Sequence, residues 1–259
     1  MRILFIGDVF GKPGRKAVKL LLPRLRQEHR PDIVIANGEN LAGGAGITRE
    51  TAREMFGMGI QALTTGNHVW DQREAVEYLN EGPPIVRPLN YPPGTPGNGC
   101  LEVQVGQERL VIINVQGRVF MRDLDDPFRA LDAALAGLPD ARFSLVDVHA
   151  EATGEKEALA HYLDGRVSAV VGTHTHVPTA DARILPKGTA YITDVGMVGP
   201  RNSVIGMDPD AVIRRYVTQM YHRFEVGRGP VDFNAVLIDL DGETRRAVSI
   251  ALLQDVVSA

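Results

Sequence analysis

Eight side chains that could bind a metal ion or transfer a proton follow predicted strands, and they are Asp8, Glu39, Asn40, Asn67, His68, His149, His174 and His176. Carboxylate, carboxamide and imidazole groups together suit iron, manganese or zinc. Taken singly, each has an ordinary structural explanation: Asp8 could cap a turn, Asn67 could be a turn residue, and a lone histidine could be buried in a core. The pair His174 and His176 is more specific, because extended backbone would direct both side chains to one face.

The predicted strands that precede these side chains indicate that the side chains lie close together. Apolar runs at residues 2–7, 33–36 and 61–64 predict strands, and each is followed by a loop and a predicted helix. This alternation predicts a parallel, helix-covered sheet. Two later strands are predicted to end at His149 and just before His174. Ligands of such sheets bind beyond the carboxyl ends of the strands, so five strand ends that each supply a ligand predict one metal site.

The remaining segments are predicted to complete the same domain. The Pro/Gly-rich residues 90–99 predict a change from one sheet to another, and residues 100–115 predict a hairpin. A second hairpin is predicted at residues 233–252, with Asp-Gly at its turn. We expect one domain over residues 1–259.

Composition excludes several classes of protein. The chain is 44% apolar and 23% charged, with a formal charge of −4 and a pI of about 6.0, so stable nucleic-acid binding is not expected. Cys100 is the one cysteine, which excludes an intrachain disulfide and a cysteine-based metal site. No run approaches the roughly 18 apolar residues of a membrane span, and no secretory signal is recognisable at the start. These features predict a cytoplasmic protein without a membrane partner.

The motifs GDVFG, NGENL, GNH at residues 66–68, the isolated His149 and GTHTH at residues 172–176 carry a resemblance. Their order and spacing resemble the calcineurin-like metallophosphoesterase superfamily. The sequence departs from the common pattern of this superfamily at two places. Phe10 stands where the pattern has histidine, and Glu39-Asn40 stands where the pattern has aspartate. With DVHAEAT and THTHVPTAD, these departures resemble the YmdB-type bacterial phosphodiesterase branch.

The resemblance implies an α/β fold of sandwich-like, largely parallel mixed sheets covered by helices, with the site at the carboxyl ends of strands. It implies two metal ions, with iron expected and manganese or zinc as alternatives. Glu39 would bridge them, and His68 would face the substrate. The remaining ligands would be Asp8, Asn40 and His176 for one metal, and Asn67, His149 and His174 for the other.

Such a centre would activate a bridging hydroxide for in-line attack on phosphorus, and His68 would supply the proton to the leaving alkoxide. By resemblance, the substrates would be small phosphodiesters, with 2′,3′-cyclic or 3′,5′-cyclic nucleotides as the expected class. Two alternatives stay open: a phosphomonoesterase or nucleotidase on the same core, and a non-catalytic regulatory or RNA-associated module with a structural metal site.

Other residues are open to two interpretations. Asp147 and Glu151 flank His149 and could orient a ligand, although Asp147 could equally cap a strand end. Arg118, Arg122 and Arg201 could contact substrate, but exposed surface arginines are the simpler interpretation. The Gly- and Met-containing segment 193–209 predicts either a wall of the active site or a contact in a homo-oligomer.

Overall fold

The computed structural model describes residues 1–138 and 143–258. Its strands are β1 (Arg2–Ile6), β2 (Asp8–Val9), β3 (Ile33–Asn37), β4 (Ala62–Thr64), β5 (Ile85–Val86), β6 (Cys100–Val105), β7 (Glu108–Gln116), β8 (Phe143–His149), β9 (Ala169–Thr173), β10 (Arg183–Ile184), β11 (Ala190–Ile192), β12 (Met197–Pro200), β13 (Val231–Leu240) and β14 (Ala247–Val257). Its helices are α1 (Gly11–His29), α2 (Arg49–Gly57), α3 (Ala75–Asn80), α4 (Pro127–Ala136), α5 (Thr153–Leu163) and α6 (Pro209–Thr218).

The first sheet has the strand order β2-β12-β13-β1-β3-β4-β5, and β14 pairs with β13 beside this path. Strands β1, β3, β4 and β5 are parallel, as the β-loop-α alternation predicts. β13 runs antiparallel to β1 and forms the predicted C-terminal hairpin with β14. The sheet is therefore mixed, with a parallel half that contains the first three predicted strands.

The second sheet has the order β10-β11-β9-β8-β7-β6. β7, β8, β9 and β11 are parallel, and β6 and β7 form the predicted hairpin. The chain passes from the first sheet at β5 to the second at β6, so the change of sheet predicted from the Pro/Gly-rich loop at residues 90–99 is confirmed.

Alternation along β1 shows how the layers pack. Leu4 and Ile6 join the core formed with helices α1, α2 and α3, whereas Ile3 and Phe5 join a core shared with β7, β8 and β9. The other face of the second sheet packs against α4 and α5. The described residues thus form a helix–sheet–sheet–helix sandwich, and the predicted fold class is confirmed. Strands β3 and β8 are buried along their whole length, as expected for strands covered on both faces.

Local signals explain where two of the helices begin. The Thr48 hydroxyl accepts the backbone N–H of Thr51 at 3.1 Å and so caps α2. The Asp126 carboxylate accepts the N–H of Phe128 at 2.9 Å at the start of α4, where Pro127 occupies the first turn. In the described part of the chain, no helix combines the length and the apolar character that a membrane span requires.

Candidate metal centre

Two fully buried carboxylates lie where the first sheet ends. Asp8 opens the short strand β2, and Glu39 lies in the turn that follows β3. The Asp8 Oδ2 atom accepts the backbone N–H of His174 at 3.2 Å, but no described residue donates to Oδ1. Burial strongly raises the pKa of Asp8, and the nearby Glu39 carboxylate raises it further against the opposing effect of His149. A buried carboxylate oxygen without a donor is costly, so this position calls for a cation.

Glu39 is held from three sides. Its Oε2 atom accepts the backbone N–H of His68 at 3.1 Å, and its Oε1 atom lies 3.1 Å from His149 Nε2. Its own backbone N–H donates to Asn37 Oδ1 at 3.1 Å, which fixes the turn directly after β3. The carboxylate therefore faces the loops after β4 and β8 rather than solvent.

His149 is the last residue of β8, and its ring orientation is set by a hydrogen-bond chain. His149 Nδ1 lies 2.8 Å from Thr173 Oγ1, and the Thr173 hydroxyl donates to Asp147 Oδ1 at 2.7 Å. Because the hydroxyl proton is used on Asp147, Thr173 accepts from His149 Nδ1–H. This leaves Nε2 facing Glu39 and the Asn67 Oδ1 atom, which lies 3.0 Å away.

Asp147 lies between the two sheets beneath this histidine. Its Oδ2 atom accepts from the Thr64 hydroxyl and, at 3.1 Å, from Asn37 Nδ2, both on the first sheet. Its Oδ1 atom accepts from Thr173 on the second sheet. Asp147 thus contacts His149 through Thr173, which is the geometry of an orienting group, and it also joins the two sheets at the site.

The backbone of His174 and His176 differs from the extended conformation expected from the sequence. Both residues have positive φ, 98° and 66°, so the expectation of an extended His-x-His segment was wrong. The reason is a network of loop contacts. The Thr175 N–H donates to Asp194 Oδ2 at 3.1 Å, and the Met197 N–H donates to the His176 carbonyl at 3.2 Å. The turn nevertheless brings both rings to Glu39.

Each of these two histidines has one nitrogen engaged outside the cluster. His176 Nδ1 donates to the Ile205 carbonyl at 2.8 Å, so its Nε2 faces Asp8 and Asn40. His174 Nε2 lies 3.2 Å from Glu151, so its Nδ1 faces His149 Nε2 at 3.1 Å. The Ile205 contact makes segment 193–209 a wall of the site, and its residues Met197–Pro200 form the buried strand β12.

A buried ion pair holds Asp194, the residue that accepts the Thr175 N–H in the turn of His174 and His176. The sequence did not predict this pair. Lys156 Nζ lies 2.7 Å from Asp194 Oδ2, and both side chains are 1% exposed. Asp194 Oδ1 also accepts the Gly196 N–H at 2.8 Å. A sequence signal existed, because Lys156 shares the i, i+3, i+4, i+7 stripe of buried residues on α5 with Leu159, Ala160 and Leu163.

Two groups of ligand atoms emerge, each within 4.8 Å: Glu39, His149 and His174 in one, and Asp8, Glu39 and His176 in the other. Glu39 belongs to both. Asn67 adjoins the first group through His149, and Asn40 Nδ2 adjoins the second at 3.1 Å from His176 Nε2. His68 stands apart, with a side chain 39% exposed and Nδ1 2.7 Å from Asp71 Oδ2.

Glycine and phenylalanine shape the space around the ligand atoms. A Cβ at residue 66 would overlap the His149 ring and the Glu39 carboxylate, which explains the glycine of the GNH motif. Phe10, 2% exposed, packs edge-on against the His176 ring with centroids 5.5 Å apart. An apolar side chain therefore stands where the metallophosphoesterase pattern has histidine. The Asn40 amide instead lies against Glu39 and His176.

The electrostatics of the site also favour bound cations. Although burial opposes charge, the neighbouring His149 and His68 lower the pKa of Glu39 to about 2. Burial likewise opposes the charge on His149, but Glu39, Asp8 and Asp147 raise its pKa to about 9. Burial and the neighbouring His149 lower the pKa of His174 to about 3. Without metal, the proton on His149 thus offsets the charge of the Glu39 carboxylate, and a cation between Nε2 and Glu39 would displace it. The donor set fits two metal ions, provided that the Asn40 amide, whose Nδ2 faces Glu39 and His176, turns to present Oδ1.

Comparison with known proteins agrees with this geometry. Residues 4–253 match the family described as YmdB-like protein. The chain belongs to the YmdB-like family. It is 49% identical over 251 residues to the 2′,3′-cyclic-nucleotide 2′-phosphodiesterase of Bacillus subtilis, covering 96% of this chain and 95% of that protein.

Two solved structures of similar chains have the same fold. A hypothetical protein from Thermus thermophilus superposes with a TM-score of 0.94 at 51% identity, covering 99% of both chains. A structure described as a novel phosphatase from Mycoplasma pneumoniae superposes with a TM-score of 0.95 at 35% identity, covering all of this chain and 94% of that one. The resemblance to the metallophosphoesterases is confirmed, and the chain is a hydrolytic phosphoesterase whose fold implies divalent metal ions.

Proposed function

We propose that this YmdB-like chain is a dinuclear-metal phosphodiesterase that hydrolyses small cyclic nucleotides. The main support for two metals is that Glu39 belongs to both ligand groups. A carboxylate shared in this way can hold two cations side by side. The 49% identity to a Bacillus subtilis protein named 2′,3′-cyclic-nucleotide 2′-phosphodiesterase supports the 2′,3′-cyclic class, and 3′,5′-cyclic nucleotides are the second class to test.

The proposed ligand set follows the two groups. Glu39 would bridge, and the other ligands would be Asp8, Asn40 and His176 for one metal, and Asn67, His149 and His174 for the other. When bound, the two ions supply Lewis-acid polarisation of the phosphoryl oxygens and lower the pKa of a water that attacks phosphorus. We expect iron, with manganese and zinc as alternatives.

His68 is the proposed proton donor. Asp71 Oδ2 holds its Nδ1 atom at 2.7 Å, so Nε2 is left to bond to the substrate in the cavity that His68 lines. In-line attack by water breaks the bond from phosphorus to the ribose oxygen, and His68 transfers its proton to that oxygen. For a 2′,3′-cyclic substrate cleaved at O2′, the product is the nucleoside 3′-monophosphate.

A substrate panel with metal analysis tests the proposal. The protein is loaded separately with iron, manganese and zinc, and metal per chain is measured by mass spectrometry. Hydrolysis is then followed for 2′,3′-cyclic nucleotides, 3′,5′-cyclic nucleotides, linear dinucleotides and nucleoside monophosphates. We expect two metals per chain and turnover of the 2′,3′-cyclic class. Release of phosphate from monophosphates alone would favour a nucleotidase, and two metals without any hydrolysis would favour a non-catalytic module.

A further inference from the structure

A cavity of about 310 Å³ lies beside the metal centre and is not explained by the metal ligands. One wall is formed by Asn67, His68 and His174. The remaining lining residues lie outside the proposed ligand set, and they are Asp71, Tyr91, Gln116, Phe120, Met121 and Arg122. The volume falls at the lower end of small-molecule sites. A ligand whose reacting group lies at the metals would therefore extend its remaining atoms towards these residues.

Phe120 is unusual in two independent respects. Its side chain is 88% exposed, although phenylalanine is ordinarily buried. Its φ is +62°, a left-handed conformation that is uncommon for residues other than glycine and an outlier for a bulky side chain. Among the described residues, no aromatic ring packs against it, whereas the nearby Trp70 and Tyr91 rings already contact each other at 5.8 Å. The Phe120 ring therefore offers an unoccupied face to the cavity.

The loop that carries Phe120 is firmly anchored, so its exposure is not a matter of loose backbone. The Glu155 carboxylate accepts the N–H groups of Arg118 at 2.9 Å and Val119 at 3.1 Å. The Gly117 N–H donates to the carbonyl of His149 at 3.0 Å. The last contact ties the loop to the residue that faces Glu39, which fixes the backbone leading to Phe120 relative to the metal centre. Strain held in an anchored loop beside a reactive site is a sign of function.

Arg122 supplies positive charge to the cavity, whereas the Asp71 carboxylate that also lines it is paired with His68. Of the three arginines singled out in the sequence, Arg118 lies 3.3 Å from Asp126 and Arg201 lies 3.5 Å from Asp232. Arg122 has no carboxylate within salt-bridge distance among residues 1–138 and 143–258, and it lines the cavity beside Phe120. An aromatic face next to a free guanidinium suits a flat, anionic ligand.

We propose that Phe120 is the platform on which the base of the substrate nucleotide stacks while its phosphate lies at the metal centre. This inference rests on the proposed function, since it presumes a nucleotide substrate. Stacking on an exposed ring tolerates any base, because every base has a π face. Phe120 would then discriminate nucleotides from phosphodiesters that lack a base, without contacting the reacting atoms.

The test compares adenosine 2′,3′-cyclic phosphate with glycerol 1,2-cyclic phosphate, which has the same five-membered ring but no base. For Phe120→Ala, we expect the ratio of the two kcat/KM values to fall about 5- to 150-fold, the range of base–aromatic stacking. The loss should appear in KM for the nucleotide, because the ring acts on binding in ground state and transition state alike. Binding of adenosine 3′-monophosphate, measured by titration calorimetry, should weaken by a similar factor.

Two further variants control the test. Phe120→Trp keeps an aromatic face and should keep the ratio, whereas Val119→Ala alters the neighbouring exposed side chain and should leave both substrates unaffected. Metal content and Tm of Phe120→Ala should match the parent protein, because the side chain is exposed. An equal loss for both substrates, or no loss for either, would overturn the stacking role. If the parent protein hydrolyses no cyclic nucleotide, the proposed function itself fails. If it hydrolyses adenosine 2′,3′-cyclic phosphate and Phe120→Ala leaves the ratio unchanged, only the stacking role fails.

Discussion

Asp147→Asn should weaken metal binding without touching a metal ligand. Asp147 Oδ2 faces two donors, the Thr64 hydroxyl and Asn37 Nδ2, whereas Oδ1 faces only the Thr173 hydroxyl. An amide nitrogen in the Oδ2 position would confront Asn37 Nδ2 at 3.1 Å, donor against donor. The new amide nitrogen is therefore expected at the Thr173 side, where a hydroxyl can turn and accept instead.

The turn of the Thr173 hydroxyl reverses the direction of the hydrogen bonds that link residue 147 to His149. Once Thr173 accepts from the new amide, its hydroxyl proton can turn towards His149 Nδ1, which lies 2.8 Å away. The imidazole proton then moves to Nε2, the atom that faces Glu39 and Asn67. A protonated Nε2 cannot ligate a metal. Loss of such an orienting partner typically costs 10- to 100-fold in metal affinity, or about 1.4–2.8 kcal/mol.

The assay separates this effect from general damage. Burial raises the pKa of the Asp147 carboxyl, so removing its charge relieves a desolvation penalty, and the metal-free variant should unfold in urea within about 1 kcal/mol of the parent. The additional stability conferred by metal should shrink by about 1.4–2.8 kcal/mol at the same free metal concentration. Chelator competition measures the same change directly.

Matched variants identify the cause. Thr173→Ser keeps the hydroxyl and should retain affinity, whereas Thr173→Val should lose it about as much as Asp147→Asn does. Asp239→Asn removes a carboxylate paired with Arg2 at the first residue of β1, at the other end of that strand from Asp8, and should leave metal binding unchanged. If the metal affinity of Asp147→Asn stayed within twofold of the parent, the role assigned to the hydrogen bonds from Asp147 through Thr173 to His149 would be refuted.

Three further predictions concern the centre and its support. His68→Ala should retain two metals per chain yet lose about 10²- to 10⁴-fold in kcat, as expected for removal of a general acid; a fall in metal content would instead make His68 a ligand. Gly66→Ala should fold but lose metal, because its Cβ would displace the His149 ring and the Glu39 carboxylate, and metal analysis beside circular dichroism checks both. Lys156→Met should lower the free energy of unfolding by about 3–5 kcal/mol, because Asp194 would be left buried and unpaired; urea unfolding measures this, and a loss below about 1 kcal/mol would speak against the pair.

Much of the fold was predictable because its signals are local. Short apolar runs mark β1, β3, β4, β8 and β9, and the side chains just beyond them are visible in the sequence as ligand types. The parallel half of the first sheet and both hairpins follow from those runs and their connections. The eight predicted site residues accordingly lie in one region of the structure.

What escaped prediction depends on contacts between distant segments. The left-handed backbone at His174 and His176 is set by Asp194 and Met197, about twenty residues later in the chain. Pairing of the two-residue strand β2 with β12 has no periodic signal, because such short strands show no alternation. Asp147 showed one plausible partner in sequence, His149, but its contacts with Thr64 and Asn37 required knowledge of how the two sheets meet.

The division of the site between two sheets has a consequence for the order of events during synthesis. The Asp8 carboxylate and the His174 N–H that it accepts are 166 residues apart, so no ligand group can be complete until most of the chain has left the ribosome. Sheet packing must close those long loops before the ligand atoms meet. Metal can therefore bind only after most of the chain has folded. Bound metal would slow unfolding and would do little to speed folding.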